Sequence, residues 1–234
     1  KFPIVSLSVV EDDQQARQKL VEAKKTLEQA MIHASAFDQD VEIITTISPN
    51  VPSGIKRVAT EIFATEIIVG FALKSQFTDL LFGNMIKYIV ENTTQAVWVC
   101  SISPQIHRRK RIVVVCPRYL DREYGFPMML NRIFRLANTL KVSCTFLSTT
   151  QTYRHIVDYT QQHKIANKIS HIDFVDWNDI SQVAPHIQLT DLVIIAMPRA
   201  GGVSYLLNQE SVPRTMAKNF ENFDFILLYP NEMD

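Results

Sequence analysis

The sequence predicts an α/β protein built on doubly wound parallel sheets, and three observations carry that prediction. Short runs rich in Val, Ile and Phe alternate with stretches of helical periodicity, the order that builds parallel sheets. That order repeats, because Thr65-Glu66-Ile67-Ile68-Val69-Gly70 matches Thr190-Asp191-Leu192-Val193-Ile194-Ile195, 125 residues later. The 234 residues are 47% hydrophobic and 21% charged, the mix of a globular chain with one large core or two small ones.

The elements follow in order. Phe2–Val10 reads as a strand. Asp12 and Asp13 start a helix whose apolar positions Ala16, Leu20, Ala23, Leu27, Ala30 and Ala34 step by four and three. Val41–Ile47 is a strand, and Pro49–Ser53 turns into a helix with Ile55, Val58, Ile62 and Phe63 inward. Glu66–Gly70 is a strand. A loop through Lys74–Phe82 leads to a helix starting near Asn84, with Ile86, Ile89 and Val90 inward, and Ala96–Ile102 is a strand. The second half repeats the scheme with strands at Arg111–Cys116, Val142–Ser148, Ile169–Val175, Thr190–Met197 and Phe223–Tyr229. Its helices are expected around Phe126–Ala137, Tyr153–His163, Asp176–Ile187 and Val212–Phe220.

Ser103–Lys110, polar and basic with Pro104, breaks the pattern. We therefore expect a first domain at 1–103, a linker at 104–110 and a second domain at 111–234. The two are expected to form a pseudo-dimer through the strands Ala96–Ile102 and Phe223–Tyr229. The basic cluster His107–Arg111 reads as a solvated linker, with contact to anionic lipid or phosphate as the alternative. The unit from Arg111 to about Leu140 has no counterpart ahead of Phe2. The first half is therefore expected to have lost, or to have upstream, its own first strand and helix, and the start at Lys1 suggests a fragment of a longer chain.

Several function classes are disfavoured. Lys and Arg number 24 and so do Asp and Glu, so the chain has no field to draw in a nucleic acid. No run of about 18 apolar residues spans a membrane. Cys100, Cys116 and Cys144 sit in apolar runs without CxxC spacing and read as reduced core thiols. His33, His107, His155, His163, His171 and His186 lack HxxxH or HExxH spacing, and no GxSxG elbow occurs. Trp98 and Trp177 read as core or domain-contact residues. No metal and no catalytic residue is expected.

Ligands of doubly wound sheets bind beyond the carboxyl ends of the strands. After Val69 the chain reads Gly70-Phe71-Ala72-Leu73-Lys74, then on to Phe82-Gly83-Asn84. Gly83 allows close backbone approach, Asn84 can donate its amide, Lys74 adds a charge, and a helix start suits a phosphate. The same residues also suit a plain strand–loop–helix connection. In the second half, Arg199, Gly201, Gly202 and Ser204 could hold an anion or could form a packed turn.

The spacing from Gly70 to Gly83 resembles the nucleotide loop of the universal stress protein family: Gly, two residues, Gly, nine residues, Gly, then Ser or Thr. Nine residues, Lys74–Phe82, separate Leu73 from Gly83, while Leu73 and Asn84 depart from the pattern. The resemblance implies an adenine nucleotide, ATP or AMP, held by Val9, Gly70, Lys74, Gly83 and Asn84, with Val9 at the adenine-contacting strand end. The family's Asp at the end of its first strand would fall upstream of Lys1. A broader resemblance runs through Leu7–Asp13, Val51–Ile55, Ile68–Phe71, Lys74-Ser75, Thr78-Asp79, Phe82-Gly83, Lys110–Val115 and Gly202–Tyr205. Together they are similar to the cytoplasmic tails of bacterial monovalent cation/proton antiporters. That likeness implies two tandem Rossmann-like, universal-stress-like domains, the second one degenerate. It implies a transmembrane antiporter domain on the same polypeptide as partner, a homodimer, and a place at the cytoplasmic side of the inner membrane. The role it implies is regulatory, without chemistry. A free-standing tandem stress protein that binds or slowly hydrolyses ATP, and a dimerisation tail without ligand, are the alternatives.

Overall fold

Alternating apolar runs and amphipathic stretches do become strands and helices, but the strands sort into two sheets of very different size. The computed structural model describes residues 3–36, 39–70, 79–174, 180–220 and 222–233. They form two compact units, Lys1–Ala64 with Asn84–Thr93, and Thr65–Gly83 with Thr94–Asp234.

The first unit holds β1 (Ile4–Glu11), α1 (Ala16–Ser35), β2 (Val41–Ser48) and α2 (Val51–Glu61). β1 and β2 form a two-stranded parallel sheet in register from Ile4 opposite Val41 to Glu11 opposite Ser48. α1 starts later than the sequence suggests. Asp13 is not its cap but sits before it, where Oδ1 accepts from Gln15 N at 2.9 Å and Oδ2 pairs with Lys19 Nζ at 2.5 Å. α2 is capped by Asn50, whose Oδ1 accepts from Ser53 N at 2.9 Å, and Pro52 fits its first turn. Gly54 is required where α2 meets β1, because a Cβ there would lie 2.5 Å from Val9 Cγ1. Val58 is buried as expected, but Ile62 and Phe63 are not. The helix stops at Glu61, Phe63 takes a left-handed φ of 51°, and its side chain is 88% exposed.

The second unit contains a seven-stranded sheet in the order β3-β4-β9-β8-β5-β6-β7. These are β3 (Glu66–Gly70), β4 (Ala96–Ser101), β5 (Arg111–Val115), β6 (Ser143–Ser148), β7 (Ile169–Asp173), β8 (Asp191–Ala196) and β9 (Asp224–Tyr229). All neighbours are parallel except β4 and β9, which run antiparallel from Val97 opposite Tyr229 to Ser101 opposite Phe225. The two strands expected to meet, β4 and β9, do pair, within one continuous sheet. The units thus cut the chain at places other than residues 104–110, and β3 and β4 share the sheet of the second half. From β5 the chain winds outward through β6 and β7, then returns to the other side of β5 for β8 and β9. The switch in winding lies between β5 and β8.

α3 (Asp79–Asn92) joins β3 to β4, and Ile86, Ile89 and Val90 are buried as expected. α4 (Phe126–Leu140) turns Phe126, Met129, Leu130, Ile133, Phe134 and Ala137 into the core with Ile112, Val114, Phe146 and Ile194. α5 (Thr150–Gln162) and α6 (Val212–Asn219) are the remaining α-helices among the described residues. The helix expected at Asp176–Ile187 is a 3-10 turn at Ile180–His186, where Pro185 removes the amide an α-helix would need; residues 175–179, with Trp177, lie outside the described residues.

Within the basic cluster His107–Arg111, His107, Arg108 and Lys110 are exposed, while Arg109 and Arg111, the latter opening β5, are held by the fold. Arg109 Nε pairs with Asp224 Oδ2 at 2.8 Å, and its guanidinium also donates to Ser103 Oγ and to the Leu189 carbonyl. Ser103 N donates to Asp224 Oδ1 at 2.9 Å. Arg111 grips Asp191 with two bonds, Nε to Oδ1 at 3.1 Å and Nη2 to Oδ2 at 2.6 Å. Asp191 and Asp224 open β8 and β9 and are almost fully buried. Each needs its arginine, because a buried carboxylate without partners is expensive.

Candidate functional site

The residues expected to hold a nucleotide are spread over different elements. Val9 lies two residues before the end of β1, and its side chain packs against α2 at Gly54. Gly70 is the exposed last residue of β3. Lys74 lies outside the described residues, as does Leu73. The helix starts at Asp79, not near Asn84. Gly83 and Asn84 are thus its fifth and sixth residues, where amides bond back to carbonyls four residues earlier rather than pointing free. Both are exposed, and nothing lies within 4 Å of a Cβ built on Gly83.

The second-half loop is filled from within. Arg199 is buried, and its Nε donates to the Pro230 carbonyl at 3.0 Å while Nη2 reaches the Gln95 carbonyl. Gly201 supplies a φ of 91° for the turn. Ser204 donates from N at 2.7 Å and from Oγ at 2.5 Å to one carboxylate oxygen of Glu123. A Cβ on Gly202 would come within 2.8 Å of that same oxygen. The backbone and hydroxyl donors at Ser204 are therefore occupied by this chain's own carboxylate, so the packed-turn reading is the one the geometry favours.

A different cleft opens at the carboxyl ends of β5, β6 and β7, with a volume of about 330 Å³. Arg118, Tyr119, Asp121, Thr149, Thr152 and Asp173 line it. Beyond β5 the chain is turned by Tyr119, at a left-handed φ of 66°, and pinned by Leu120, which is fully buried. The guanidinium groups of Arg118 and Arg122 stand 4.7 and 4.8 Å from the Tyr119 ring centre. Thr149 caps α5 by accepting from Thr152 N at 3.2 Å. Thr152 Oγ1 in turn donates to Asp121 Oδ1 at 2.6 Å, and His155 Nε2 approaches Asp121 at 3.6 Å. One guanidinium, an aromatic ring, threonine hydroxyls and two carboxylates thus face one opening, a set that suits a small polar ligand. Sequence reading missed this cleft. Its signal was the Pro117-Arg118-Tyr119 and Thr149-Thr150-Gln151-Thr152 segments, each directly after a strand end.

The thiols are poor nucleophiles. Burial pushes Cys100 up to about 11 and Cys144 to about 12, and Cys116, with Asp121 nearby, higher still. Among the described residues no group of His, Cys, Asp and Glu is arranged to hold a metal ion. No helix among them is long and apolar enough to cross a membrane.

No protein-family profile matches the chain, and no curated protein does. Solved structures do. A universal stress protein from Archaeoglobus fulgidus DSM 4304 superposes with a TM-score of 0.67 at 12% identity, over 99% of this chain and 86% of that one. The cytoplasmic domain of a prokaryotic cation chloride cotransporter gives 0.57 at 15% identity, over 97% and 84%. A putative universal stress protein from Pseudomonas aeruginosa UCBPP-PA14 gives 0.56 at 11%, over 97% and 93%. The fold is thus an α/β fold of the universal-stress-protein type, with a mostly parallel sheet.

Proposed function

We propose that this chain is a regulatory domain of a monovalent cation/proton antiporter, carried at the cytoplasmic face of the inner membrane and acting as a homodimer without chemistry of its own. The observation that carries the reading is the likeness of its fold to a transporter's cytoplasmic domain over 97% of the chain. A regulatory domain shifts transport only if its ligand or partner favours one state of the membrane domain, and about 1.4 kcal/mol of coupling changes activity tenfold. The ligand we propose is an adenine nucleotide at Val9, Gly70, Lys74, Gly83 and Asn84.

Proton flux in vesicles, with the antiporter intact or cut ahead of this segment, tests the role; unchanged rate, pH profile and assembly would end it. Calorimetry with ATP and AMP tests the ligand. One site per chain is expected. Gly83→Asp, which sets a carboxylate against phosphate, should abolish binding, whereas Arg118→Ala should leave it intact. The reverse result would move the ligand to the cleft beyond β5. The second reading, a free-standing stress protein, is favoured by the higher TM-score of 0.67 with the Archaeoglobus protein. A transmembrane bundle encoded upstream in the same reading frame would exclude it.

A further inference from the structure

We infer that the cleft beyond β5, β6 and β7 is a binding site for a small organic cation, a primary ammonium compound whose charge pairs with Asp121. The chain's other buried carboxylates supply the standard of comparison. The side chains of Asp191, Asp224 and Asp121 are only 2%, 6% and 3% exposed. Asp191 accepts from Nε and Nη2 of Arg111 and from Gln188 N. Asp224 accepts from Arg109 Nε and from N and Oγ of Ser103. Each therefore has a guanidinium and further donors. Asp121 accepts from Thr152 Oγ1 at 2.6 Å, and among the described residues no lysine or arginine pairs with it. His155 Nε2 stands 3.6 Å away, beyond hydrogen-bond distance, on a side chain 53% exposed. A carboxylate buried this deeply normally carries a positive partner. Asp121 opens instead onto the cleft, whose volume is about 330 Å³.

The other polar groups of the cleft state the sign and the chemistry of that partner. Thr149 Oγ1 donates to Thr152 Oγ1, and Thr152 Oγ1 donates to Asp121 Oδ1. Thr150 Oγ1 donates to Asp173 Oδ1 at 3.4 Å. The hydroxyl hydrogens of all these threonines are thus spent inside the protein, and what they offer a ligand is oxygen lone pairs. With the carboxylates of Asp121 and Asp173 they make an acceptor-rich wall, which suits charged N–H donors and repels a phosphate. Arg118 also lines the cleft, but its guanidinium is held over the Tyr119 ring and pairs with neither carboxylate. The amino end of α5, where Thr152 lies, favours the charge of Asp121 without supplying a counter-ion. A metal ion fits less well, because among the described residues no third His, Cys, Asp or Glu joins the two carboxylates. The volume is at the lower end for ligand pockets, about 300–1,000 Å³, so the molecule is small. The nucleotide proposed above plays no part in this inference.

Calorimetry of the 234-residue chain at constant ionic strength, with putrescine as the probe, tests this. One saturable site is expected. Asp121→Asn should weaken it at least about tenfold, the loss of a charged hydrogen bond, and Asp173→Asn should weaken it less. Butanediol has the shape without the charge, and tetramethylammonium has the charge without N–H donors. Each should bind at least about tenfold more weakly than putrescine. Thermal unfolding without ligand gives a second reading. Asp121→Asn should not lower the melting temperature, because the amide oxygen still accepts from Thr152, whereas Asp191→Asn should lower it. A loss of stability in Asp121→Asn as large as in Asp191→Asn overturns the inference, because the fold itself would then serve that carboxylate. So do the absence of saturable putrescine binding, equal binding of butanediol or tetramethylammonium, and binding undiminished in Asp121→Asn. Tighter binding of potassium or magnesium ions in the same cleft overturns it as well, because the partner would then be a metal.

Discussion

β3 and β8 are read from nearly the same sequence, yet they live in different surroundings. Thr65–Val69 and Thr190–Ile194 agree in pattern, with Gly70 standing against Ile195, but β8 is buried throughout and β3 exposes Ile68 and Gly70. Their opening carboxylates differ in the same way. Asp191 is gripped twice by Arg111 from the neighbouring strand, whereas Glu66 pairs with Arg132 of α4 at 2.6 Å and stays 26% exposed. The lesson is that an apolar run sets what a strand can bury, and its neighbours set what it does bury.

The largest test of this difference is to remove the paired carboxylates. Asp191→Ala strands Arg111 and should cost about 3–5 kcal/mol, while Glu66→Ala should cost no more than about 1 kcal/mol. Urea unfolding of both variants reads the contrast; equal costs would mean the two strands are equally embedded. Next comes the first unit's own packing. Gly54→Ala drives a methyl against Val9 and should destabilise by up to about 3 kcal/mol, seen as early loss of protection in β1 and α2 by amide exchange.

The aliphatic pair follows. Val193→Ala should cost about 2 kcal/mol from lost burial and the cavity, against a change within about 0.5 kcal/mol for Ile68→Ala. The smallest effect is at the surface of the first unit. The hydrogen bond from Lys19 holds the Asp13 carboxyl below its usual 3.8, with help from the Gln15 amide. Because the folded value is lowered, the pair's contribution is present above that value and fades as pH falls through the lower, folded one. Carboxyl titration by NMR should show the depression, and Lys19→Met should reduce it.

Much of the fold was legible in the sequence because periodicity is local. Alternating aliphatic runs and three-four spacing predicted the strands and most helices among the described residues, and the matched segments at Thr65 and Thr190 exposed the repeat. Phe63 and Pro185 were misread for local reasons, a left-handed turn at one and a missing amide at the other. The candidate site was legible in part. The loop from Gly70 to Asn84 could be named, but not the start of its helix at Asp79. The cleft at Arg118 and Asp121 depends on the ends of three strands coming side by side, which no single segment reports.

By itself, then, the sequence determined the order of elements, the repeat and the aliphatic character of each strand, since these rest on backbone and side-chain preferences within a few residues. Only the tertiary structure decided which strands became neighbours and which charges were matched. It turned Arg109 and Arg111 from an apparent linker into partners of Asp224 and Asp191, 115 and 80 residues away. It filled the Gly202–Ser204 turn with Glu123, and it left β3 at the edge of the sheet. The physical reason is that a buried charge or an open backbone edge is satisfied by whatever group the fold brings within bonding distance, and that group is set by topology rather than by its place in the chain.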